Sequence, residues 1–321
     1  MDKLGKSGIP FLFILDFELQ KPLVVPIDEL DAQKIRFQIN GNGFDYTPVE
    51  KLRETPFFHA LKADEAHYHK AFEQVMHHLR RGDTYLLNLT MPVAVETNLD
   101  LLQIFAQSKA KYKLWIANEC VVFSPETFVT IQAGIISTFP MKGTIQADRE
   151  GSAQELLDDP KEKAEHYTIV DLLRNDLNSV AEKIRVNDFR FLQKVETNRG
   201  ALWQSSSRIS GVLRHDYRQN LGTIFQKLLP AGSITGAPKK RTIEIILQTE
   251  NYSRGYYTGV MGIFDGQNVD SGVMIRFVEQ TKNGLVYKAG GGITVNSKVD
   301  TEFKELLEKV YLPFTIQAAK K

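Results

Sequence analysis

The sequence predicts an α+β fold, and three observations support this prediction. Short runs of alternating or continuous apolar residues, typical of β-strands, recur through most of the chain. A smaller number of stretches carry apolar residues at helical spacing. These stretches do not alternate regularly with the strand patterns, as they would in a doubly wound α/β sheet. We expect one domain over residues 1–321, with residues 1–81 as a short N-terminal part of the same unit.

The elements follow in order from the N-terminus. Residues 11–17 and 35–39 are predicted as strands, and residues 64–81 as a helix that Gly82 ends. Five apolar side chains would form the buried face of that helix: Ala71, Phe72, Val75, Met76 and Leu79. Further strands are predicted at residues 84–90, 94–97, 113–117, 121–124, 128–132, 135–139, 257–264, 268–279 and 285–289. Further helices are predicted at residues 159–177, 221–229, 240–248 and about 301–310.

Composition and charge narrow the class of protein. The 321 residues are 42% hydrophobic and 25% charged, which is ordinary for a globular protein. The net charge is +1, from 40 basic and 39 acidic residues, so a broad nucleic-acid-binding surface is not expected. The one cysteine, Cys120, lies in an apolar run and is interpreted as a buried, inert thiol. Because no disulfide, leader or membrane-spanning stretch is recognisable, we expect a cytoplasmic protein.

Residues 230–239 form the most distinctive motif, Pro-Ala-Gly-Ser-Ile-Thr-Gly-Ala-Pro-Lys. The crowding of glycine, proline and hydroxyl residues predicts a tight loop of fixed shape. This loop leads into the helix predicted at residues 240–248, whose N-terminus would offer backbone N–H groups and the positive end of a dipole. A plain structural turn would also use glycine and proline. Alternatively the loop holds an anion, with Thr235 as one contact.

Acidic residues recur on two predicted helices. Glu165 lies beside the apolar stripe of the helix at residues 159–177, where a carboxylate needs a partner. Glu302 and Glu305 are three positions apart on the last helix and therefore share a face. Salt bridges would account for all three residues. Two helices that bring these carboxylates to one site would also make an all-oxygen ligand set, which suits Mg²⁺.

Together with the loop at residues 230–239, these features resemble the chorismate-utilising enzymes. That family contains the large subunits of anthranilate synthase and aminodeoxychorismate synthase, the isochorismate synthases and the salicylate synthases. The resemblance runs from about Gly82 to the C-terminus. It implies an anthranilate synthase component I-like, chorismate-binding fold in which two β-sheets pack face to face with helices outside. It also implies that Glu165 and Glu305 hold Mg²⁺, with Glu302 as a further contact.

Arg276 and three glycines are candidates for binding a carboxylate. Gly290, Gly291 and Gly292, here called the glycine run, follow a predicted strand and could expose successive N–H groups, although a tight turn needs glycine too. Arg276 ends an apolar strand, so its permanent charge needs an anionic partner, either a substrate or an acidic side chain. The resemblance implies that Arg276 and the glycine run bind one carboxylate of chorismate. It also matches Tyr257 to an aromatic residue of the site.

Lys142 lies in the motif Pro-Met-Lys-Gly-Thr at residues 140–144. From the residues alone, a solvated turn lysine explains it. In the resembling family, the aminodeoxychorismate-forming enzymes have Pro-Ile-Lys-Gly-Thr here, whereas the anthranilate-forming enzymes usually have Pro-Ile-Ala-Gly-Thr. The resemblance therefore implies that Lys142 attacks the substrate ring as a nucleophile, for which the amine must be neutral. Glu126 is a surface-turn residue by pattern and matches the family's general acid, which protonates the departing hydroxyl.

Two positions depart from the family pattern. Leu86 stands where the water-adding relatives carry a lysine base and the amine-adding relatives usually carry glutamine. Leucine cannot deprotonate water, which disfavours an isochorismate or salicylate synthase. Gln204 stands in place of a histidine that is tied to pyruvate elimination in the anthranilate-forming branch. Its presence favours a product that keeps the enolpyruvyl group.

The resemblance thus implies the large subunit of an Mg²⁺-dependent aminodeoxychorismate synthase. This enzyme carries out a transaminase-type amination of chorismate by ammonia to 4-amino-4-deoxychorismate, the precursor of 4-aminobenzoate and folate. Cys120 lies in no glycine-rich nucleophile elbow, so we expect a separate glutamine amidotransferase subunit as partner, and no nucleic acid or membrane. An anthranilate synthase large subunit and a non-catalytic relative that binds chorismate or a partner subunit are the alternatives.

Overall fold

The computed structural model describes residues 1–44, 55–197 and 200–314. The chain divides into two compact units, each assembled from three separate segments. The first unit contains Met1–Leu12, Thr127–Ser233 and Ile263–Ser271, and the second contains Phe13–Glu126, Ile234–Gly262 and Gly272–Lys321. Both units therefore draw on distant parts of the sequence. That they act as one catalytic domain stays a prediction.

The described residues form eight α-helices and eighteen β-strands. The helices are α1 (Asp2–Ser7), α2 (Glu65–Arg81), α3 (Leu101–Gln107), α4 (Ser152–Asp158), α5 (Pro160–Asn178), α6 (Leu221–Leu228), α7 (Lys239–Thr249) and α8 (Val299–Glu308). Short 3₁₀ turns occupy Ile27–Glu29, Tyr217–Asn220 and Gly232–Ile234.

The strands belong to two sheets, and every strand pair whose register is described is antiparallel. The strands are β1 (Phe11–Leu15), β2 (Leu23–Pro26), β3 (Ile35–Ile39), β4 (Asn42–Phe44), β5 (Phe58–Ala60), β6 (Leu86–Thr97), β7 (Tyr112–Ile116), β8 (Cys120–Ser124), β9 (Thr127–Gln132), β10 (Ile135–Thr138), β11 (Met141–Gln146), β12 (Glu182–Thr197), β13 (Gly200–Val212), β14 (Gly236–Ala237), β15 (Val260–Phe264), β16 (Val269–Val273), β17 (Phe277–Thr281) and β18 (Gly284–Ile293). The predicted α+β class is confirmed.

The second unit contains a complete sheet in the order β14-β6-β18-β17-β8-β7-β3-β4, with β5 also paired to β6. Helix α2 packs against β6, α7 and α8, and α8 packs against β18. The predicted apolar face of α2 is buried, Asp64 caps its N-terminus, and Gly82 ends it in the left-handed conformation. Cys120 is a buried free thiol whose pKa is raised by burial, so the predicted burial of this residue is confirmed.

The first unit contains strands in the order β11-β13-β10-β9-β16, with β12 also paired to β13. Helices α4 and α5 pack against β11 and β13. The sequence pattern did not predict the long hairpin of β12 and β13. Charged residues dominate β12, and its register against β13 shifts at three places, so the period-two alternation that marks a strand is interrupted.

Two other strand predictions are corrected. The two strands predicted between residues 84 and 97 are one continuous strand, β6, in which Pro92 lies opposite Lys288 of β18. The single strand predicted at residues 268–279 is divided into β16 and β17, because Arg276 has a φ of 55° between them. A left-handed residue cannot continue a flat strand, and a pattern of apolar residues does not reveal it.

A buried ion pair is hydrogen-bonded to strand β6 of the second unit. Arg254 and Glu250 are both buried, and the Glu250 Oε1 accepts hydrogen bonds from Arg254 Nη2 at 2.7 Å and from the Thr90 backbone at 2.8 Å. Arg254 also donates to the Asn88 carbonyl at 2.7 Å and the Ile234 carbonyl at 3.2 Å. The pair therefore ties β6 to the segment between β14 and β15. Among the described residues, no helix is long and apolar enough to cross a bilayer.

Replacing Glu250 by glutamine should lower the free energy of unfolding by about 3–5 kcal/mol, because the buried guanidinium would lose its counter-charge. Urea denaturation followed by circular dichroism measures this change. The matched control is Arg241→Met, which removes a half-exposed pair with Glu244 and should cost less than about 1 kcal/mol. Equal unfolding midpoints for the Glu250→Gln variant and the native protein would contradict the assignment.

Candidate active site

Lys142 and Glu165 meet in the first unit. Lys142 lies on β11, at a register shift against β13 between Met141 and Thr144. Glu165 projects from α5, which packs against β11. The Lys142 Nζ lies 2.8 Å from the Glu165 Oε2, and the two side chains are 35% and 30% exposed. Lys142 is therefore a half-buried residue in a charge-assisted hydrogen bond.

Glu162 adds a second carboxylate on the same face of α5. Gly143, with a φ of 80°, brings the backbone so close that a Cβ there would lie 2.9 Å from the Glu162 Oε2. Burial raises the pKa of Glu162, and the charge of Glu165 raises it further, whereas Lys142 lowers it. One lysine thus offsets only part of the negative charge of two neighbouring glutamates. Lys161, which is 80% exposed, contributes only a distant contact of 3.9 Å to Glu165.

His166 supports this cluster and was not predicted from the sequence. Its ring is fully buried, and its Nε2 lies 2.6 Å from the Ser207 Oγ, which also accepts a hydrogen bond from the Arg190 backbone. Burial lowers the pKa of His166 to about 4, so the ring is neutral at neutral pH. His166 therefore adds no charge beside Glu165. Its position directly after that residue on α5 was the only available signal.

The glycine run lies in the second unit, inside β18 rather than after a strand. Gly290, Gly291 and Gly292 stand opposite Thr90, Leu89 and Asn88 of β6. The run is therefore part of a strand and is paired with β6 on one side, whereas the pairing of β17 on the other side ends at Lys288. A Cβ at Gly290 would lie 2.6 Å from the Leu89 carbonyl oxygen, so close strand pairing explains that glycine. The binding of a substrate by this run stays a prediction.

Helix α8 places charged residues against the glycine run. The Lys309 Nζ lies 2.8 Å from the Glu305 Oε1 and donates to the Gly290 carbonyl at 2.9 Å. A Cβ at Gly291 would lie 3.4 Å from the Lys309 Nζ and 3.7 Å from the Glu302 Oε2. The absent side chain thus leaves room for these charged groups. Lys309 was not singled out from the sequence, although its spacing of four from Glu305 is a signal for such a pair.

Arg276 has an unusual environment in the second unit. Its guanidinium stacks over the Tyr311 ring at 5.4 Å and makes a long hydrogen bond of 3.5 Å to the Tyr311 hydroxyl. In the part of the chain that the structure describes, no carboxylate forms an ion pair with Arg276. The acidic side-chain partner considered from the sequence is therefore not found among these residues. The guanidinium retains its capacity to bind an anion.

Tyr257 is buried in the same unit, with its ring 5.8 Å from the Phe277 ring. Burial raises the pKa of Tyr257 well above its ordinary value, so the phenol stays protonated. A protonated phenol is a hydrogen-bond donor. This property agrees with the predicted contact to an anionic ligand, which stays a prediction.

The loop at residues 230–239 is paired rather than open over part of its length. Gly236 and Ala237 form β14 against Leu87 and Leu86, and the buried Thr235 accepts a hydrogen bond from the Asn88 backbone through its carbonyl. These bonds use carbonyl oxygens of the loop, so the binding of an anion by its N–H groups stays a prediction. Gly236, at a φ of 127°, lies so near the Leu86 carbonyl oxygen that no side chain fits.

Leu86 brings an apolar group to the glycine run, because a Cβ at Gly292 would lie 3.2 Å from its Cδ1. Glu126 is half-buried in the link between β8 and β9, where its backbone N–H donates to the Ser124 Oγ. Gln204 lies on β13, opposite Thr144 of β11. Thr144 is two residues after Lys142. The two departures from the family pattern therefore belong to structured, partly buried positions.

The predicted metal ligands fall in different units, with Glu165 in the first and Glu302 and Glu305 in the second. The pairing of Glu165 with Glu305 stays a prediction. No group of three His, Cys, Asp or Glu side chains suited to a metal occurs over residues 1–44, 55–197 and 200–314. The first unit contains the neighbouring glutamates Glu162 and Glu165, and the second contains Glu302 and Glu305. Oxygen donors of this kind fit Mg²⁺, which usually takes one or two carboxylates and completes its shell with water.

Comparison with known protein families assigns the chain. A model of the family described as chorismate binding enzyme matches residues 29–314. The chain belongs to the chorismate-binding enzyme family. The resemblance inferred from the motifs is therefore confirmed.

The relatives of this chorismate-binding enzyme cover different shares of its length. It is 44% identical to an uncharacterized PabA-like protein of Pasteurella multocida over 97% of this chain and 96% of the relative. It is 33% identical to aminodeoxychorismate synthase component 1 of Klebsiella aerogenes, over 76% of this chain and 56% of the relative. The chain thus spans little more than half of that named synthase.

Solved structures share the fold of this chorismate-binding enzyme. Anthranilate synthase component I from Streptococcus pneumoniae aligns with a TM-score of 0.68 and 24% identity, over 81% of this chain and 60% of that chain. The isochorismate synthase MenF of Escherichia coli aligns with a TM-score of 0.73 and 14% identity, over 96% of this chain and 78% of that chain. The predicted anthranilate synthase component I-like fold is confirmed.

Substitutions in the glycine run test its two different environments. Gly290→Ala should lower the free energy of unfolding by about 1–3 kcal/mol, because the new methyl group would meet the backbone of β6. Gly291→Ala is the matched control and should stay within about 1 kcal/mol of the native protein, since its methyl group would meet only the ends of flexible side chains. Urea denaturation of both variants measures the difference. Equal effects would show that strand pairing does not explain the run.

Proposed function

We propose that this chorismate-binding enzyme is the large subunit of an aminodeoxychorismate synthase, which aminates chorismate to 4-amino-4-deoxychorismate for 4-aminobenzoate and folate synthesis. The observation that carries the proposal is Lys142, a half-buried lysine held against Glu165 at a register shift of β11. The motif around it has lysine where the aminodeoxychorismate-forming enzymes have it. The similarity to aminodeoxychorismate synthase component 1 supports the same reading.

Lys142 has the role of nucleophile in this proposal. Its amine nitrogen forms a bond to ring C2 while the ring double bonds shift and the C4–O bond breaks. Glu126 gives a proton to the departing hydroxyl, which leaves as water. Ammonia then forms a bond to C4, the double bonds return and the C2–N bond breaks, which regenerates Lys142. The enolpyruvyl group is retained.

Chorismate carries two carboxylates, and each needs a cationic or hydrogen-bonding partner. We assign one of them to a group of four contacts: Arg276, Tyr257, Thr235 and the glycine run. Glu165 and Glu305 are proposed to hold Mg²⁺, with Glu302 as a further contact. When bound, the ion would neutralise these carboxylates and draw the second substrate carboxylate to the site. Leu86 adds no base that could activate water.

We further propose a separate glutamine amidotransferase subunit as the source of ammonia and a cytoplasmic location. The buried Cys120 on β8 supports the first point, because a thiol enclosed in a sheet is not accessible as a glutaminase nucleophile.

Replacing Lys142 by alanine should reduce aminodeoxychorismate formation at least about 100-fold, because the nucleophile is lost. The assay contains purified protein, chorismate, ammonium and Mg²⁺, and the products are separated by chromatography. The control is Lys161→Ala, which removes an exposed lysine 3.9 Å from Glu165 on α5 and should keep nearly native turnover. Anthranilate as the product, or undiminished turnover in the Lys142→Ala variant, would refute the proposal.

Replacing Arg276 by lysine should raise the KM for chorismate about 10- to 100-fold, because a lysine cannot make the paired hydrogen bonds of a guanidinium. The value of kcat should change much less. Steady-state kinetics at saturating ammonium separate the two constants, and Arg174→Lys, a change at an exposed pair with Asp171, is the control. An unchanged KM in the Arg276→Lys variant would remove this residue from the substrate site.

A further inference from the structure

Glu165 has two candidate partners, Lys142 and Mg²⁺, which are both positively charged. Its Oε2 already accepts a hydrogen bond from the Lys142 ammonium at 2.8 Å. The proposed function assigns the same carboxylate to Mg²⁺. Since a bound ion would stand within a few ångströms of the ammonium, repulsion between the two cations opposes their simultaneous contact with one partly buried carboxylate.

The surroundings in the first unit strengthen this conflict. Glu162 and Glu165 are neighbouring carboxylates, and Lys142 pairs directly with Glu165. The buried His166 ring is hydrogen-bonded to the hydroxyl of Ser207, which carries no charge. Lys161 is far more exposed than Lys142. Arg190, which also lies near His166, donates its guanidinium hydrogen bonds to the Leu156 and Leu157 carbonyls. Lys142 is thus the cation in direct contact with Glu165 and also lowers the pKa of the neighbouring Glu162.

We propose that Lys142 and Mg²⁺ compete for Glu165, so that binding of the ion releases the lysine from its ion pair. This inference rests on the proposed function, because it requires a metal at Glu165. While the ion pair holds, the Lys142 Nζ is directed at the Glu165 carboxylate. Release of Lys142 by the metal therefore sets an order, in which the lysine side chain can turn away from Glu165 only when the ion is bound.

Binding of Mg²⁺ alone to the full-length protein, measured by isothermal titration calorimetry without chorismate, tests the competition. Lys142→Met removes the charge and keeps a side chain of similar length, and it should lower the dissociation constant at least about 5-fold. Lys142→Arg keeps the charge and should bind Mg²⁺ nearly as the native protein does. Lys161→Met is the matched control for a lysine at the rim of the same carboxylate, and should change the constant less than about 2-fold.

Glu165→Gln separates failure of this inference from failure of the proposed function. A weaker affinity in Glu165→Gln together with an unchanged affinity in Lys142→Met would overturn the competition and leave the metal at Glu165. An unchanged affinity in Glu165→Gln would overturn both.

A second measurement does not depend on variants. Labelling of lysines by trinitrobenzenesulfonate, mapped by mass spectrometry, reports the availability of each amine. Addition of Mg²⁺ should increase labelling of Lys142 several-fold relative to Lys34, which is 78% exposed. Equal or lower labelling of Lys142 in the presence of the ion would overturn the proposal.

Discussion

The ion pair between Lys142 and Glu165 is the interaction on which the proposed chemistry depends. It joins a register shift of one strand to the face of the helix packed on it, and the positive φ of Gly143 permits their close approach. The pair places a potential nucleophile and a potential metal ligand in direct contact. Both roles then depend on one local geometry, and changes in either residue affect the other.

The second unit contains cationic groups that the proposed function assigns to substrate binding. Among the described residues, the Arg276 guanidinium has the Tyr311 ring rather than a carboxylate as its neighbour, and Lys309 donates to a carbonyl of the glycine run. A dicarboxylate such as chorismate needs several cationic or donor groups of this kind. The apolar Leu86 beside Gly292 limits the site to binding and orientation at that point, because it offers no proton acceptor.

The buried pair of Glu250 and Arg254 holds the strand that pairs with the glycine run. It is hydrogen-bonded to Asn88 and Thr90, which lie on β6 opposite Gly292 and Gly290. The buried charges thereby hold the strand against which the glycine run is registered. Satisfied networks of this kind make a local geometry unique, at the cost of strong sensitivity to the loss of one partner.

The α+β class, the family, the helices α2, α5, α7 and α8, and the burial of Cys120 could all be predicted from the amino-acid sequence, because they depend on local periodicity, caps and motifs. The sequence did not reveal the β12–β13 hairpin, whose bulges interrupt the alternation, or the left-handed turn at Arg276. The contacts of Lys142 with Glu165, of Lys309 with Gly290 and of His166 with Ser207 join residues that are distant or unremarkable in the sequence. Only tertiary structure decides them, since helix packing and strand register, rather than residue spacing, set which side chains meet.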